Sequence, residues 1–195
     1  MNGEILDISE LMTPDRVFKA AQRNEIPAGI GKSKTNGQRR LHATLAENCV
    51  GALFHSVFNY PGDVTLPGDR YADGDFIFQE DLFEVKTKMR TIDPQESHTC
   101  HIDADSTHQK WDYVVFVSMR AEKIGRDEDG VLMWGPPQAV HACGFLSREE
   151  FYEKATFLKK GEVWDRDPGF RQRTDCYALL ISDLEPVTEF FHPCL

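Results

Sequence analysis

The sequence predicts an α/β or α+β domain, a mixed sheet flanked by helices, and three observations predict it. Two stretches in the first third repeat apolar residues at helical spacing between capping and breaking signals. Later stretches carry the alternating or continuous apolar pattern of strands. Strands stand both before and after helices, an order that a sheet with covered faces accommodates.

In chain order, Thr13-Pro14-Asp15 supplies an N-cap and a first-turn proline for a helix running to about Asn24, ahead of Pro27. Residues 26–37 are rich in Gly, Lys and Ser and read as a loop. A long helix fits 38–59. It has one apolar stripe through Leu41, Leu45, Cys49, Ala52, Leu53 and Val57, and a second through Ala43, Val50, Phe54 and Phe58, so more than one side is covered. A Pro/Gly/Asp loop spans 61–74. Residues 75–79 and 82–88 read as a β-hairpin joined by Glu80-Asp81. Residues 91–110 are polar and loop-like, and Tyr113–Ser118 is an apolar run of the buried-strand type. After a turn at 127–130 comes a strand at 139–146. Ser147-Arg-Glu-Glu150 forms a capping box that opens a helix closed by Gly161, and a last strand lies within 175–184.

The 195 residues fit a single domain, 1–37 being an N-terminal helix and basic loop and 38–188 the core. With 41% apolar residues, 28% charged residues and 13 Phe, the chain is expected to be globular, not disordered. No apolar run has the length to span a bilayer, so no membrane partner is expected. The opening MNGEILDISELM carries acids and no basic segment, so no signal peptide is expected. Five scattered cysteines without a CxxC pair suit a reducing, cytoplasmic compartment.

The hairpin carries the strongest chemistry. Glu84 and Lys86 alternate with Phe83 and Val85, so the two charged residues share one strand face. Buried charges need partners. The hairpin folds Asp75 back toward Glu84, and two carboxylates with one ammonium suit a hard divalent cation and a water beside it. Glu47 is in register with Val50, Phe54 and Phe58, at the end of an apolar stripe where a charge is costly. The plainer alternatives are a Glu84–Lys86 salt bridge and a Glu47 that reaches solvent at the rim of its stripe.

Asp75 followed by Glu84-Val85-Lys86 resembles the PD-(D/E)XK nuclease superfamily, the restriction-endonuclease-like fold. The order of a helix bearing Glu47, then the hairpin, strand, helix and strand is similar to its α-β-β-β-α-β core. The segments Lys110–Val117, Gly144–Phe151, Arg173–Tyr177 and Leu184–Pro186 also resemble pieces of small phage and restriction-type members, so the likeness spans about 38–188. It implies a metal-dependent deoxyribonuclease using Mg²⁺ or Mn²⁺. By the same resemblance, Asp75, Glu84 and Glu47 are metal ligands, with Asp73 or Asp69 as alternatives to Asp75, and Lys86 orients or activates the attacking water. DNA is the implied partner, and a homodimer is an open expectation because restriction-type members often pair. A structure-selective repair or recombination nuclease and a non-catalytic nucleic-acid-binding module of the same fold are the alternatives.

The net charge of −10 argues at first against DNA, but its distribution is uneven. Residues 47–84 hold eight acids and only Arg70. Lys32, Lys34, Arg39 and Arg40 precede them, and Lys86, Lys88 and Arg90 follow, with no acid interspersed. In the nuclease reading, Lys32, Lys34, Arg39, Arg40, Lys88 and Arg90 contact the DNA backbone. Two further motifs carry less. Gly29-Ile-Gly-Lys-Ser33 resembles the end of a P-loop but lacks the earlier glycine. His98, Cys100, His101 and His108 offer zinc donors at a spacing that matches no standard finger.

Overall fold

In a computed structural model of the chain, residues 4–25, 38–58, 74–106, 109–126, 130, 132–171 and 173–191 are described. Lys32, Lys34, Asp69, Asp73, His108 and the P-loop-like segment lie outside them. The elements are β1 (Leu6–Asp7), α1 (Pro14–Glu25), α2 (Gln38–Phe58), β2 (Phe76–Phe78), β3 (Asp81–Arg90), β4 (Thr99–Asp103), β5 (Tyr113–Arg120), β6 (Lys123–Arg126), β7 (Leu132–Trp134), β8 (Ala139–Ser147), α3 (Arg148–Lys154), β9 (Thr156–Leu158), β10 (Val163–Trp164), β11 (Asp167–Arg171), β12 (Cys176–Leu180) and α4 (Val187–Phe191). Short 3₁₀ turns cover Ser9–Leu11, Ala104–Ser106 and Ile181–Asp183.

The architecture is mixed α+β. A five-stranded sheet runs in the order β1-β8-β5-β3-β2. The β3–β5 pair is parallel, with Glu84 beside Val114 and Lys86 beside Phe116, while β2–β3 and β5–β8 are antiparallel. Alternation along β5 gives each face its own core. Val115, Val117 and Met119 face a cluster completed by Leu45, Cys49, Val50, Leu53 and Phe54 of α2 and by Phe76, Phe78, Phe83 and Val85 of the hairpin. Val114 and Phe116 face the second cluster, with Cys100, Ile102, Phe151, Leu179 and Ile181. Phe54 meets Phe76, Phe78 and Phe83 edge-on, with ring centroids 5.1–5.4 Å apart. Such contacts add to simple area burial and fix how α2 lies on the hairpin. Both apolar stripes of α2 are thus explained: Leu45, Cys49 and Leu53 of one and Val50 and Phe54 of the other are buried.

The long helix matches its expected span to within one residue. Several expectations are corrected. The hairpin turns at Gln79-Glu80, one residue earlier than Glu80-Asp81, and both turn residues have positive φ, 50° and 77°. That is the sense of a type I′ turn, whose twist suits a two-residue hairpin and which Asn-Gly more commonly fills.

Residues 91–110 are not simply a loop: Thr99–Asp103 pairs along its whole length with β12. Its Cys-His-Ile-Asp alternation is a strand pattern among polar residues, with Cys100 and Ile102 buried and His101 and Asp103 half-buried. The helix opened by the Ser147 capping box stops at Lys154, well short of Gly161, because Thr156–Leu158 leaves it to pair with β12. The last strand lies outside the five-stranded sheet and is the middle of a three-stranded one, β4-β12-β9. Two small hairpins, β6–β7 and β10–β11, complete the set. The four cysteines among the described residues, Cys49, Cys100, Cys143 and Cys176, are free and buried. No helix among the described residues is long and apolar enough to cross a membrane.

Candidate active site

The hairpin places the carboxylates. Phe76 pairs with Phe83 and the Asp75 N–H donates to the Phe83 carbonyl at 2.6 Å, so the next antiparallel pair sets Asp75 beside Glu84 on one sheet face. β2 begins only at Phe76, and Asp75 Oδ2 accepts the Val85 N–H at 2.6 Å. A side chain thereby completes the ladder where the strand partner ends. Gly74 makes this approach feasible. Its φ is +55°, and a Cβ there would stand 2.7 Å from Leu82 Cγ and 2.9 Å from the Phe83 carbonyl oxygen.

Glu84 is only 4% exposed, and its Oε1 accepts from the Lys86 ammonium in a close ion pair. Lys86 Nζ also approaches Gln109 Oε1 at 3.4 Å. Gln109 is delivered by a pinned segment. Arg148 Nη1 donates to its carbonyl at 2.8 Å, Leu82 N–H donates to Asp112 Oδ2, and Asp112 N–H donates back to the Leu82 carbonyl. Burial pushes the Asp75 carboxyl well above the usual carboxylate range. The nearby charges of Glu47 and then Glu84 push it further, against the Val85 N–H and the Lys86 ammonium. The structure therefore brings Asp75, Glu84, Lys86 and Glu47 into one electrostatic unit, with three carboxylates against one ammonium. Sequence reasoning missed Gln109. Its signal was position alone, four residues before the apolar run of β5.

Glu84, Lys86, Lys88 and Arg90 share the β3 face opposite the phenylalanine layer. Lys88 and Arg90 are half-buried. Lys88 Nζ lies 4.7 Å from the centre of the Phe170 ring and 3.3 Å from His101 Nδ1. Burial, with Arg90 alongside, brings the Lys88 ammonium down to about 8. Burial and the same cations bring His101 to about 3, so its neutral ring accepts from Lys88. Arg90 Nη2 donates to the Thr99 carbonyl at 2.8 Å. Arg39 and Arg40 stand in the first turn of α2, and their side chains lie outside the described residues.

The zinc donors do not assemble. Cys100 is buried in the second core, His101 meets Lys88 and Phe170, and His98 Nδ1 accepts the Gln95 N–H. Among the described residues, no group of three or more His, Cys, Asp or Glu is arranged to hold a metal ion. In chemical type the donors around Asp75 suit a hard divalent cation: they are carboxylate oxygens, Asp75 is partly buried, and its carboxyl is raised first by burial and then by the Glu47 and Glu84 charges. No family model matches the chain, and neither does any curated protein or solved structure.

Proposed function

We propose that the protein is a Mg²⁺- or Mn²⁺-dependent DNA endonuclease that hydrolyses phosphodiester bonds at Asp75, Glu84 and Lys86. The observation that carries the reading is the gathering of the Asp75 and Glu84 carboxyl groups at the β2–β3 hairpin within reach of the Glu47 charge, with one ammonium held against Glu84. Asp75 and Glu84 hold the cation and Glu47 supports it from α2. A divalent cation there supplies a Lewis acid for the phosphoryl oxygens and lowers the pKa of a bound water.

Lys86 has three ammonium protons, and Glu84 and Gln109 accept from it. Its remaining capacity orients the attacking water and offsets the charge that develops at phosphorus. The restriction-endonuclease-like arrangement, the cytoplasmic setting and a homodimeric assembly belong to the same proposal. The buried free thiols accord with a reducing compartment.

The test is incubation with linear, circular, single-stranded and branched DNA and Mg²⁺ or Mn²⁺, beside the Lys86→Ala and Glu84→Ala proteins. The expected result is metal-dependent cleavage that both substitutions abolish. Cleavage confined to branched DNA would assign a structure-selective nuclease. Full activity in folded Glu84→Ala would overturn the assignment. DNA binding without cleavage under any metal would leave the non-catalytic module.

A further inference from the structure

At the far end of β3 from the hairpin lies a cleft of about 220 Å³ lined by Met89, Arg90, Thr91, Ile92, His98, Lys123 and Trp134. No acidic residue lines it, although the chain carries a net charge of −10. The acid whose charge reaches Arg90 and His98 is Asp167, which accepts from the Thr99 hydroxyl and lies outside the cleft lining. Arg90 is anchored to the Thr99 carbonyl through Nη2, and its Nε is buried without a hydrogen-bond partner. The Lys123 ammonium lies 5.8 Å from the centre of the Trp134 ring and forms no ion pair among the described residues. The nearest acid in sequence to Arg90, Asp93, is committed to Arg120 by two hydrogen bonds of 2.8 and 2.9 Å. His98 Nδ1 accepts the Gln95 N–H at 3.0 Å, so the neutral imidazole carries its proton on Nε2 as a donor. Burial, then the Arg90 charge, lowers the His98 pKa, against the charge of Asp167.

Four donors of guanidinium, ammonium, imidazole and hydroxyl type beside Met89, Ile92 and Trp134 suit an anion with an apolar neighbour. The volume is below that of a drug-sized pocket and suits one phosphate group with part of its sugar or base. Arg90 lies six residues along β3 from Glu84, about 20 Å at strand rise. B-form duplex places one phosphate per strand about every 3.4 Å of axis, so this is about six base steps.

We propose that this cleft is a second phosphate-binding site, which holds the nucleic-acid backbone about six base steps from the phosphate at Asp75, Glu84 and Lys86. The source of the phosphate and the spacing rest on the nuclease reading; the anion site rests on the cleft itself. Lys123 grips the phosphate by charge and Arg90 by its guanidinium, and Trp134 backs the flanking sugar or base.

The test is anisotropy of a fluorescein-labelled DNA duplex with the full chain in EDTA, across a range of NaCl concentrations, for wild type, Lys123→Ala and Lys123→Glu. Lys123 lies on an exposed strand, so neither substitution removes core packing. The expected result is weaker binding on every sequence tried and a log K versus log salt slope shallower by about 0.9 for Lys123→Ala. Lys123→Glu weakens binding further. Duplex should also change tryptophan emission in wild type and not in Trp134→Phe. An unchanged slope in both Lys123 variants overturns the site, as does an emission response to inorganic phosphate with no effect of Lys123 on duplex binding. Failure of the nuclease reading is separate. Binding with the altered slope but no cleavage under Mg²⁺ or Mn²⁺ refutes cleavage and keeps the phosphate site. Cleavage with an unaltered slope refutes the site and keeps the nuclease.

Discussion

The carboxylate of Asp75 and the amide of Val85, 2.6 Å apart, form a rung of the sheet at the point where β2 has yet to begin. One side chain thus has two tasks: it pairs the backbone of β3 and contributes negative charge to the Glu84 cluster. Asparagine keeps the acceptor and loses the charge. Asp75→Asn should therefore unfold at higher temperature than wild type in EDTA at neutral pH, because burial and the Glu47 and Glu84 charges penalise the ionised carboxyl. Mg²⁺ should raise the melting temperature of wild type and leave that of Asp75→Asn unmoved. Thermal scans with and without metal check both outcomes.

Lys86→Met leaves the Glu84 carboxylate nearly enclosed and without its ammonium. The expected cost is about 3 kcal/mol by urea unfolding. Glu84→Gln combined with Lys86→Met should recover most of that loss while remaining inactive. A double variant no more stable than Lys86→Met would show that the loss does not arise from the unpaired Glu84 charge.

Gly74→Ala puts a side chain at φ +55° with a Cβ 2.7 Å from Leu82 Cγ. The left-handed conformation alone costs about 1–2 kcal/mol. The relief available is a shift of Asp75 away from Val85. Divalent-cation affinity by calorimetry should therefore fall along with stability.

Gln79 and Glu80 both occupy positive φ without the permissiveness of glycine. Combining Gln79→Asn with Glu80→Gly should stabilise the protein by about 1 kcal/mol, because the pair then suits the left-handed region that the turn imposes. Urea midpoints measure this, with activity unchanged because the turn lies beyond the carboxylates.

Lys88 sets a pH dependence. Its ammonium titrates at about 8 in the folded protein, against an ordinary value of 10.5. Below pH 8 both folded and unfolded chains carry the proton, and the folded state bears the full penalty of the buried charge. Between about 8 and 10.5 the unfolded chain binds more protons, so stability from this residue rises with pH. Lys88→Met should stabilise the protein at pH 7 by roughly 1–3 kcal/mol, and the advantage should vanish above about pH 10.5. Unfolding at a series of pH values reads the convergence.

The site was more legible in the sequence than the outer layers. Glu84 and Lys86 declared themselves by alternating with Phe83 and Val85, and Glu47 by its register with Val50 and Phe54, because these patterns are local. The Thr99–Asp103 strand was obscured because its partner, β12, lies over seventy residues on, and its outward positions are His101 and Asp103. The early end of α3 was obscured for the same reason. The capping box at Ser147 is a local signal, whereas Thr156–Leu158 leaves the helix for a pairing with β12 that no local pattern reports. Lys88 and Arg90 were read as contacts to a DNA backbone, and their half-burial against Phe170 and Thr99 depends on β11 and β4, which no local pattern places beside them.

The row of charges along β3 also constrains how the chain can misfold. Side chains alternate with period two, so a slip of one residue in the β3–β5 pairing would turn Glu84, Lys86, Lys88 and Arg90 into the layer occupied by Phe54, Phe76 and Phe78. It would also expel Phe83 and Val85 from that layer. Shifted registers of this parallel pair, whose strands are joined through β4, are therefore far less stable than the native one. The same charges act as an alignment key during folding.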